Sequence, residues 1–232
     1  MRLSSQKGFT VVELLISMVI AGIILAVALA VIVDSQRAGA RVRDRLEAIG
    51  HGRTAMEQIT QRVRAMVCLP DGVTTPVIAA SANQLTFYAD LDGDEDYDPA
   101  RWRLTGQRDA ANRLTSVREE RWADAAGTGT PASRLLARNL GDMPRPGGGT
   151  LPLFRYYAYP SLEATDTVEI GTGAGGAVAA ADLRRVVRVD VAFLARSSSA
   201  AADRRTASAL ESSVYARGVR RSAGLPTFDC TG

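Results

Sequence analysis

The hydrophobic pattern of this 232-residue chain begins with one long apolar run. Residues 8–33 contain 26 residues and a single charged side chain, Glu13. As a helix that rises 1.5 Å per residue, this run would reach roughly 39 Å, which exceeds the ~30 Å hydrocarbon core of a bilayer. The run therefore predicts a transmembrane helix over residues 9–33.

Beyond Asp34, apolar residues recur at spacings of three, four or seven, which is the period of an amphipathic helix. The pattern predicts that one helix continues from residue 9 to about residue 66, with its amphipathic half within residues 34–69. Gly50 and Gly52 are its weak point, where a bend is expected. The apolar stripe, which we expect to pack on a globular domain, consists of Val42, Leu46, Ile49, Met56, Ile59, Val63 and Met66.

After Pro70, two-residue alternation replaces the helical period. Few helical segments separate the alternating runs, so antiparallel connections are favoured. The fold class predicted is α+β: a long N-terminal helix packed on an antiparallel β-rich domain over residues 70–232. The predicted strands are 84–89, 101–104, 114–122, 134–140, 153–159, 186–194 and 212–217.

The charges at the N-terminus predict the membrane orientation. Arg2 and Lys7 precede the apolar run, so the positive-inside rule leaves the short N-terminus in the cytoplasm and the large domain outside it. A secretory signal peptide does not fit, because the run is too long and no small-x-small cleavage site follows it.

Glu13 is the one charged residue within the apolar run. A carboxylate inside a bilayer costs a few kcal/mol and normally has a partner. No basic residue lies between Lys7 and Arg37. The partner of Glu13 must therefore come from outside this helix, or its carboxyl group must be protonated.

Residues 7–14, Lys-Gly-Phe-Thr-Val-Val-Glu-Leu, resemble the cleavage motif of type IV prepilins. The resemblance implies that residues 1–8 are a cytoplasmic leader, which a membrane prepilin peptidase removes by cutting after Gly8. The same enzyme would methylate the new terminal amine of Phe9. In that family the glutamate equivalent to Glu13 pairs with the N-terminal amine of a neighbouring subunit during filament assembly.

Two further features of the chain bear on the kind of subunit that this resemblance implies. Many major pilins carry a helix-breaking proline at the position of Ala30, and no proline occurs here between Phe9 and Leu69. The β-rich remainder resembles the larger minor pilins and the J-type minor pseudopilins of type II secretion. The resemblance therefore implies a minor structural subunit that helps to initiate or cap a type IV pilus-like filament.

Two alternatives remain open: a minor pseudopilin of a type II secretion system, and a filament-displayed module that is adhesive or binds DNA during uptake. The implied partners are prepilin peptidase, other major and minor pilins or pseudopilins, and the cytoplasmic membrane. The implied location is first the cytoplasmic membrane, as a single-pass protein, and then a surface pilus or periplasmic pseudopilus.

Composition argues against several other functions. Loss of residues 1–8 would leave 26 basic against 25 acidic side chains, so we expect no nucleic-acid partner for the protein as a whole. The chain has one histidine and two cysteines, which excludes most metal sites and Cys/His catalytic sites. No catalytic constellation is present, so we expect neither an enzyme nor a bound organic cofactor.

Cys68 and Cys230 bracket nearly the whole predicted β-rich domain. In an exported domain two cysteines are expected to form a disulfide, which would tie the C-terminal tail to the end of the helix. The alternative is two free or buried thiols, because the sequence does not give the distance between them.

An acidic run gives the sequence its one candidate metal site. Asp90, Asp92 and Asp94 match the first three ligand positions of a calcium loop. The match then ends, because Glu95 stands where glycine is expected and Arg101 where a bidentate acid is expected. Calcium binding and a solvated acidic turn around residues 92–93 are the two interpretations.

Overall fold

The computed structural model describes residues 10–69, 71, 75–91, 98–161, 163–173, 176–198, 207–216, 219–220, 227–228 and 230. The candidate site residues Gly8, Phe9, Asp92 and Asp94 lie outside this part of the chain. The contacts divide the chain into two compact units, residues 1–43 and residues 44–232.

One helix, α1 (Val11–Arg64), runs without interruption through 54 residues, Gly50 and Gly52 included. Its apolar part has a mean hydropathy of 3.0, and it is the one helix among the described residues that is long and apolar enough to cross a membrane. Side chains in this part of the first unit, such as Val11 and Leu15, are exposed. The predicted long helix is confirmed.

The second unit contains two larger, five-stranded antiparallel sheets, which confirms the predicted α+β class. The first is a meander in the order β1-β2-β3-β4-β5. The second has the order β10-β9-β11-β12, with β6 also paired to β11. The strands of the first sheet are β1 (Val77–Ala80), β2 (Gln84–Ala89), β3 (Ala100–Arg108), β4 (Leu114–Arg121) and β5 (Ala132–Arg138). Those of the second are β6 (Leu140–Gly141), β9 (Phe154–Ala158), β10 (Val168–Ile170), β11 (Arg188–Ala195) and β12 (Ser208–Tyr215).

Four short strands and one short helix complete the described elements. They are β7 (Met143–Pro144), β8 (Thr150–Leu151), α2 (Ala180–Leu183), β13 (Val219–Arg220) and β14 (Thr227–Phe228). The hairpin β7–β8 and the pair β13–β14 form separate two-stranded sheets.

Asn139 divides what the sequence predicted as one strand over residues 134–140. Its φ of 57° is left-handed, a conformation that asparagine adopts more readily than most residues. The chain therefore leaves the first sheet at the end of β5 and enters the second sheet as β6, which pairs with β11.

The buried face of α1 in the second unit differs in part from the predicted stripe. Ile59, Val63 and Met66 are buried as expected, but Leu46 is 63% exposed. Near Leu46, small residues occupy the buried face instead. They are Ala48, Gly52 and Ala55. Glycine at position 52 lets the helix approach β11 and β12 closely. A Cβ added there would lie 2.5 Å from the Ala195 Cβ and 2.3 Å from Leu210 Cδ1.

One continuous core joins the helix to both sheets. Fully buried Phe87 and Leu104 come from the first sheet, and Phe154 and Phe193 come from the second. Tyr156 of β9 is buried among them, and its hydroxyl lies 2.9 Å from the Ser81 carbonyl oxygen beside β1. Burial raises the pKa of the Tyr156 phenol, so this group stays protonated and donates its hydrogen bond.

Candidate functional site

The start of α1 has a side-chain cap. Thr10 immediately precedes the helix, and its Oγ1 accepts a hydrogen bond of 3.3 Å from the Glu13 backbone N–H. This satisfies one of the amide groups that a helix N-terminus leaves without a partner. The spacing Thr-x-x-Glu is that of a capping box, a signal that the sequence-based interpretation of this region missed.

The cap places Glu13 in the first turn of α1. A carboxylate is favoured there, because the N-terminal end of the helix dipole is positive. Its neighbours Val12 and Leu14 are apolar and exposed. Within the described part of the chain, no ion pair reaches the Glu13 carboxylate, and Arg37, the next basic residue along the helix, lies 3.5 Å from Asp34. Among the described residues, Glu13 is thus an acid set in an exposed apolar surface.

The prokaryotic N-terminal methylation motif matches residues 3–29. The chain carries the type IV prepilin signature. This signature indicates a pilin-like substrate of prepilin peptidase. No curated protein and no solved structure matches the chain. The matched residues include Thr10, which caps α1, and Glu13 in its first turn.

The second unit holds the two cysteines. Cys68, four residues after the end of α1, and Cys230, near the C-terminus, are joined in the structure with Cα atoms 5.6 Å apart. They are 162 residues apart in the sequence. The bond closes a loop that contains both sheets, as the pairing hypothesis requires.

The described residues test the candidate calcium loop only at its edge. Asp90 follows β2, whereas Asp92 and Asp94 lie outside the described part of the chain. Among the residues that the structure describes, no group of three or more His, Cys, Asp or Glu side chains could hold a metal ion. The calcium hypothesis therefore stays a prediction.

Several arginines of the C-terminal third have acidic neighbours. The Arg185 guanidinium lies 3.0 Å from the Asp182 carboxylate, and the Arg188 guanidinium lies 3.1 Å from that of Asp190. Arg188 also stacks over the ring of Tyr157, with 3.7 Å between its guanidinium carbon and the ring centroid. At these two positions positive charge is offset within the protein, which weakens the case for a nucleic-acid surface.

Proposed function

We propose that this protein is a minor structural subunit of a type IV pilus-like filament. It is processed by prepilin peptidase after Gly8 and helps to initiate or cap filament assembly. The prepilin signature carries this proposal, because a leader, a transmembrane helix and an early glutamate are the parts that such a subunit needs. In this proposal the protein is not an enzyme, and the second unit lies outside the cytoplasm.

The proposed assembly step uses the charge of Glu13. Cleavage after Gly8 would expose the cationic, methylated amine of Phe9 on one subunit. This amine is a suitable partner for the Glu13 carboxylate of a neighbouring subunit. An unpaired carboxylate among apolar helices costs a few kcal/mol, so docking in the wrong register would leave that cost uncompensated. The pair would therefore select one register between neighbouring subunits.

The helix and the second unit both favour a minor role. No proline interrupts α1, which differs from the helix of many major pilins. The second unit contains two five-stranded sheets, a bulk that would be hard to accommodate in a densely repeated shaft. A place at the tip imposes no such restriction, since few copies are present there.

Counting surface pili tests this proposal. Deletion of the gene should abolish pili, and complementation with the wild-type gene should restore them. Complementation with Glu13→Ala should restore the processed protein but not the pili. Ser17, on the same helix, provides a matched control. Among the described residues its hydroxyl donates only to the Leu14 carbonyl oxygen, so Ser17→Ala should complement fully.

Unchanged pili in the deletion strain would contradict the pilus proposal. If a secreted protein then accumulated inside the cell envelope, the chain would instead be a minor pseudopilin of type II secretion.

A further inference from the structure

Three arginines follow the apolar part of α1 within the first unit. They are Arg37, Arg41 and Arg43, and all three are exposed. The apolar part before them has a mean hydropathy of 3.0, and none of it is buried within the protein. Positive charge therefore begins where the segment that is apolar enough to cross a membrane ends.

Residues 34–43 contain one acid, Asp34. Arg37 Nη1 lies 3.5 Å from the Asp34 carboxylate, but the two side chains are 72% and 79% exposed, and such a surface ion pair contributes little. Among the described residues, no acidic side chain forms an ion pair with Arg41 or Arg43. With three arginines and one aspartate, this segment has a net charge of +2.

The acids that come next along the helix do not cancel this charge. Asp44 and Glu47 belong to the second unit, where the Ser197 hydroxyl lies 3.4 Å from Asp44 Oδ1 and 3.0 Å from Glu47 Oε2. Arg45 lies between these two acids in the sequence. Residues 34–47 together contain four arginines and three acids, so positive charge remains in excess.

The side chains of two of these arginines point back toward the apolar part. Arg41 Nε donates a hydrogen bond of 3.3 Å to the Arg37 carbonyl oxygen, about one turn closer to the apolar part. Arg37 Nη1 approaches Asp34 in the same direction. Helical side chains tilt toward the N-terminus in this way because of the direction of their Cα–Cβ bonds. Both guanidinium groups therefore lie closer to the apolar part than their own Cα atoms do.

The length of the apolar part places these groups at the headgroup layer of a bilayer. Residues 11–33 extend about 35 Å along α1, whereas the hydrocarbon core is about 30 Å thick. With its headgroups a bilayer is about 40–45 Å thick, so phosphate groups surround the helix just beyond residue 33. A guanidinium group can bind a phosphate through two parallel hydrogen bonds and is weakly hydrated, so arginine suits this layer.

The same length determines the depth of Glu13 at the other end of the apolar part. Glu13 and Arg37 are 24 residues apart, which corresponds to about 36 Å along α1. When Arg37 contacts phosphates at one membrane face, the Glu13 carboxylate therefore lies near the headgroups of the opposite face. Contacts between the arginines and phosphates would thus keep this carboxylate away from the bilayer centre, where a charge costs most.

We propose that Arg37, Arg41 and Arg43 bind the phosphate groups of anionic phospholipids. These contacts hold the subunit at a fixed depth while it is inserted in the membrane. The proposal rests on the proposed function, because it requires that the first unit spans a membrane. Anionic headgroups are favoured over zwitterionic ones, because a zwitterionic headgroup carries its own cation beside the phosphate. For the lipids that it contacts, each arginine should provide a preference of about fivefold.

Electron paramagnetic resonance with spin-labelled lipids tests this proposal. The full chain is reconstituted at low salt in phosphatidylcholine vesicles that contain a trace of labelled phosphatidylglycerol or labelled phosphatidylcholine. Lipids in contact with the protein give a motionally restricted signal, and the two restricted fractions give the preference for phosphatidylglycerol. Arg2 and Lys7 also attract anionic lipids at the other end of the apolar part, so variants of the chain provide the decisive comparison.

Two double variants assign the preference to particular residues. Arg37→Gln/Arg41→Gln should lower the preference for phosphatidylglycerol at least about twofold, because the restricted signal averages the lipids at these arginines with the other lipids around the helix. Arg53→Gln/Arg64→Gln removes the same charge from exposed positions of α1 in the second unit and should leave the preference unchanged. An equal preference in the two double variants would overturn the proposal.

Labelled phosphatidylcholine distinguishes a failure of this proposal from a failure of the proposed function. A restricted signal from this lipid shows that the apolar part of α1 lies in the bilayer. If that signal is present and Arg37→Gln/Arg41→Gln has no effect on the lipid preference, only the phosphate contacts are refuted. If neither lipid gives a restricted signal, the first unit does not span the bilayer, and both proposals fail.

Discussion

Gly52 provides the sharpest test of how α1 packs on the second sheet. A Cβ added there would lie 2.5 Å from the Ala195 Cβ and 2.3 Å from Leu210 Cδ1, whereas carbon atoms normally approach to about 3.5–4.0 Å. The leucine can rotate away, but the Cβ of Ala195 is fixed to the backbone of β11. Gly52→Ala must therefore move the helix from the strand by about 1 Å, which loses a quarter to a half of the affected contact energy.

The magnitude follows from two opposing terms. Overpacking of a well-filled core costs about 1–3 kcal/mol, and replacement of a helical glycine by alanine returns up to about 1 kcal/mol. If the full gain of about 1 kcal/mol is realised, Gly52→Ala should still destabilise the protein by up to about 2 kcal/mol. Gly50→Ala is the matched control: nothing lies within 4 Å of its added Cβ, so it should stabilise by up to about 1 kcal/mol.

Thermal unfolding of the full chain in detergent measures this difference. Trp102 and Trp122 are both buried in the second unit, so their fluorescence reports its unfolding. For a unit of this size, 1 kcal/mol corresponds to about 2–4 °C, so Tm should fall in Gly52→Ala and rise in Gly50→Ala. Ala195→Gly should recover part of the loss when combined with Gly52→Ala. A Gly52→Ala variant as stable as Gly50→Ala would contradict close packing of Gly52 against β11 and β12.

Three further predictions concern the second unit. Glu119→Ala should destabilise the second unit by about 3 kcal/mol in urea unfolding, because it removes the carboxylate that pairs with the partly buried guanidinium group of Arg62. An unchanged free energy of unfolding would contradict a stabilising role for this ion pair. Hydrogen bonds from the hydroxyl groups of Ser198 and Ser197 lower the pKa of the Glu47 carboxyl group, so its contribution to stability should be complete above the ordinary value of 4.5 and be lost as pH falls. Glu47→Gln should flatten that pH dependence, and an unchanged pH profile would contradict this account of Glu47. Non-reducing peptide mapping should recover Cys68 linked to Cys230, and their replacement by serine should lower stability by up to about 5 kcal/mol; free thiols at both positions would refute the bond.

Periodic patterns of apolar residues predicted the helices and strands whose ends are set by residues nearby in the sequence. The apolar run and the stripe after it predicted α1, and alternation predicted β2 at its observed residues 84–89. Alternation did not reveal β1, which is short and lies between turn residues. Nor did it reveal the division at Asn139, since a single left-handed residue interrupts an otherwise regular pattern.

Features that depend on distant residues could not be predicted in the same way. The helix propensity of glycine predicted a bend at Gly52. The structure instead packs this glycine closely against β11 and β12. Similarly, Glu119 and Arg134 become a pair only because β4 and β5 are adjacent in register. The prepilin signature could be predicted from the sequence, because it is a contiguous motif that includes Glu13.

We propose that the chain is a processed type IV prepilin, and its intact mass tests this proposal most directly. The protein should be purified from cells with and without prepilin peptidase. With the peptidase, its mass should be that of a chain that begins at Phe9 and carries one methyl group; without it, the leader should remain. A chain that still contains residues 1–8 in cells with an active peptidase would contradict the account.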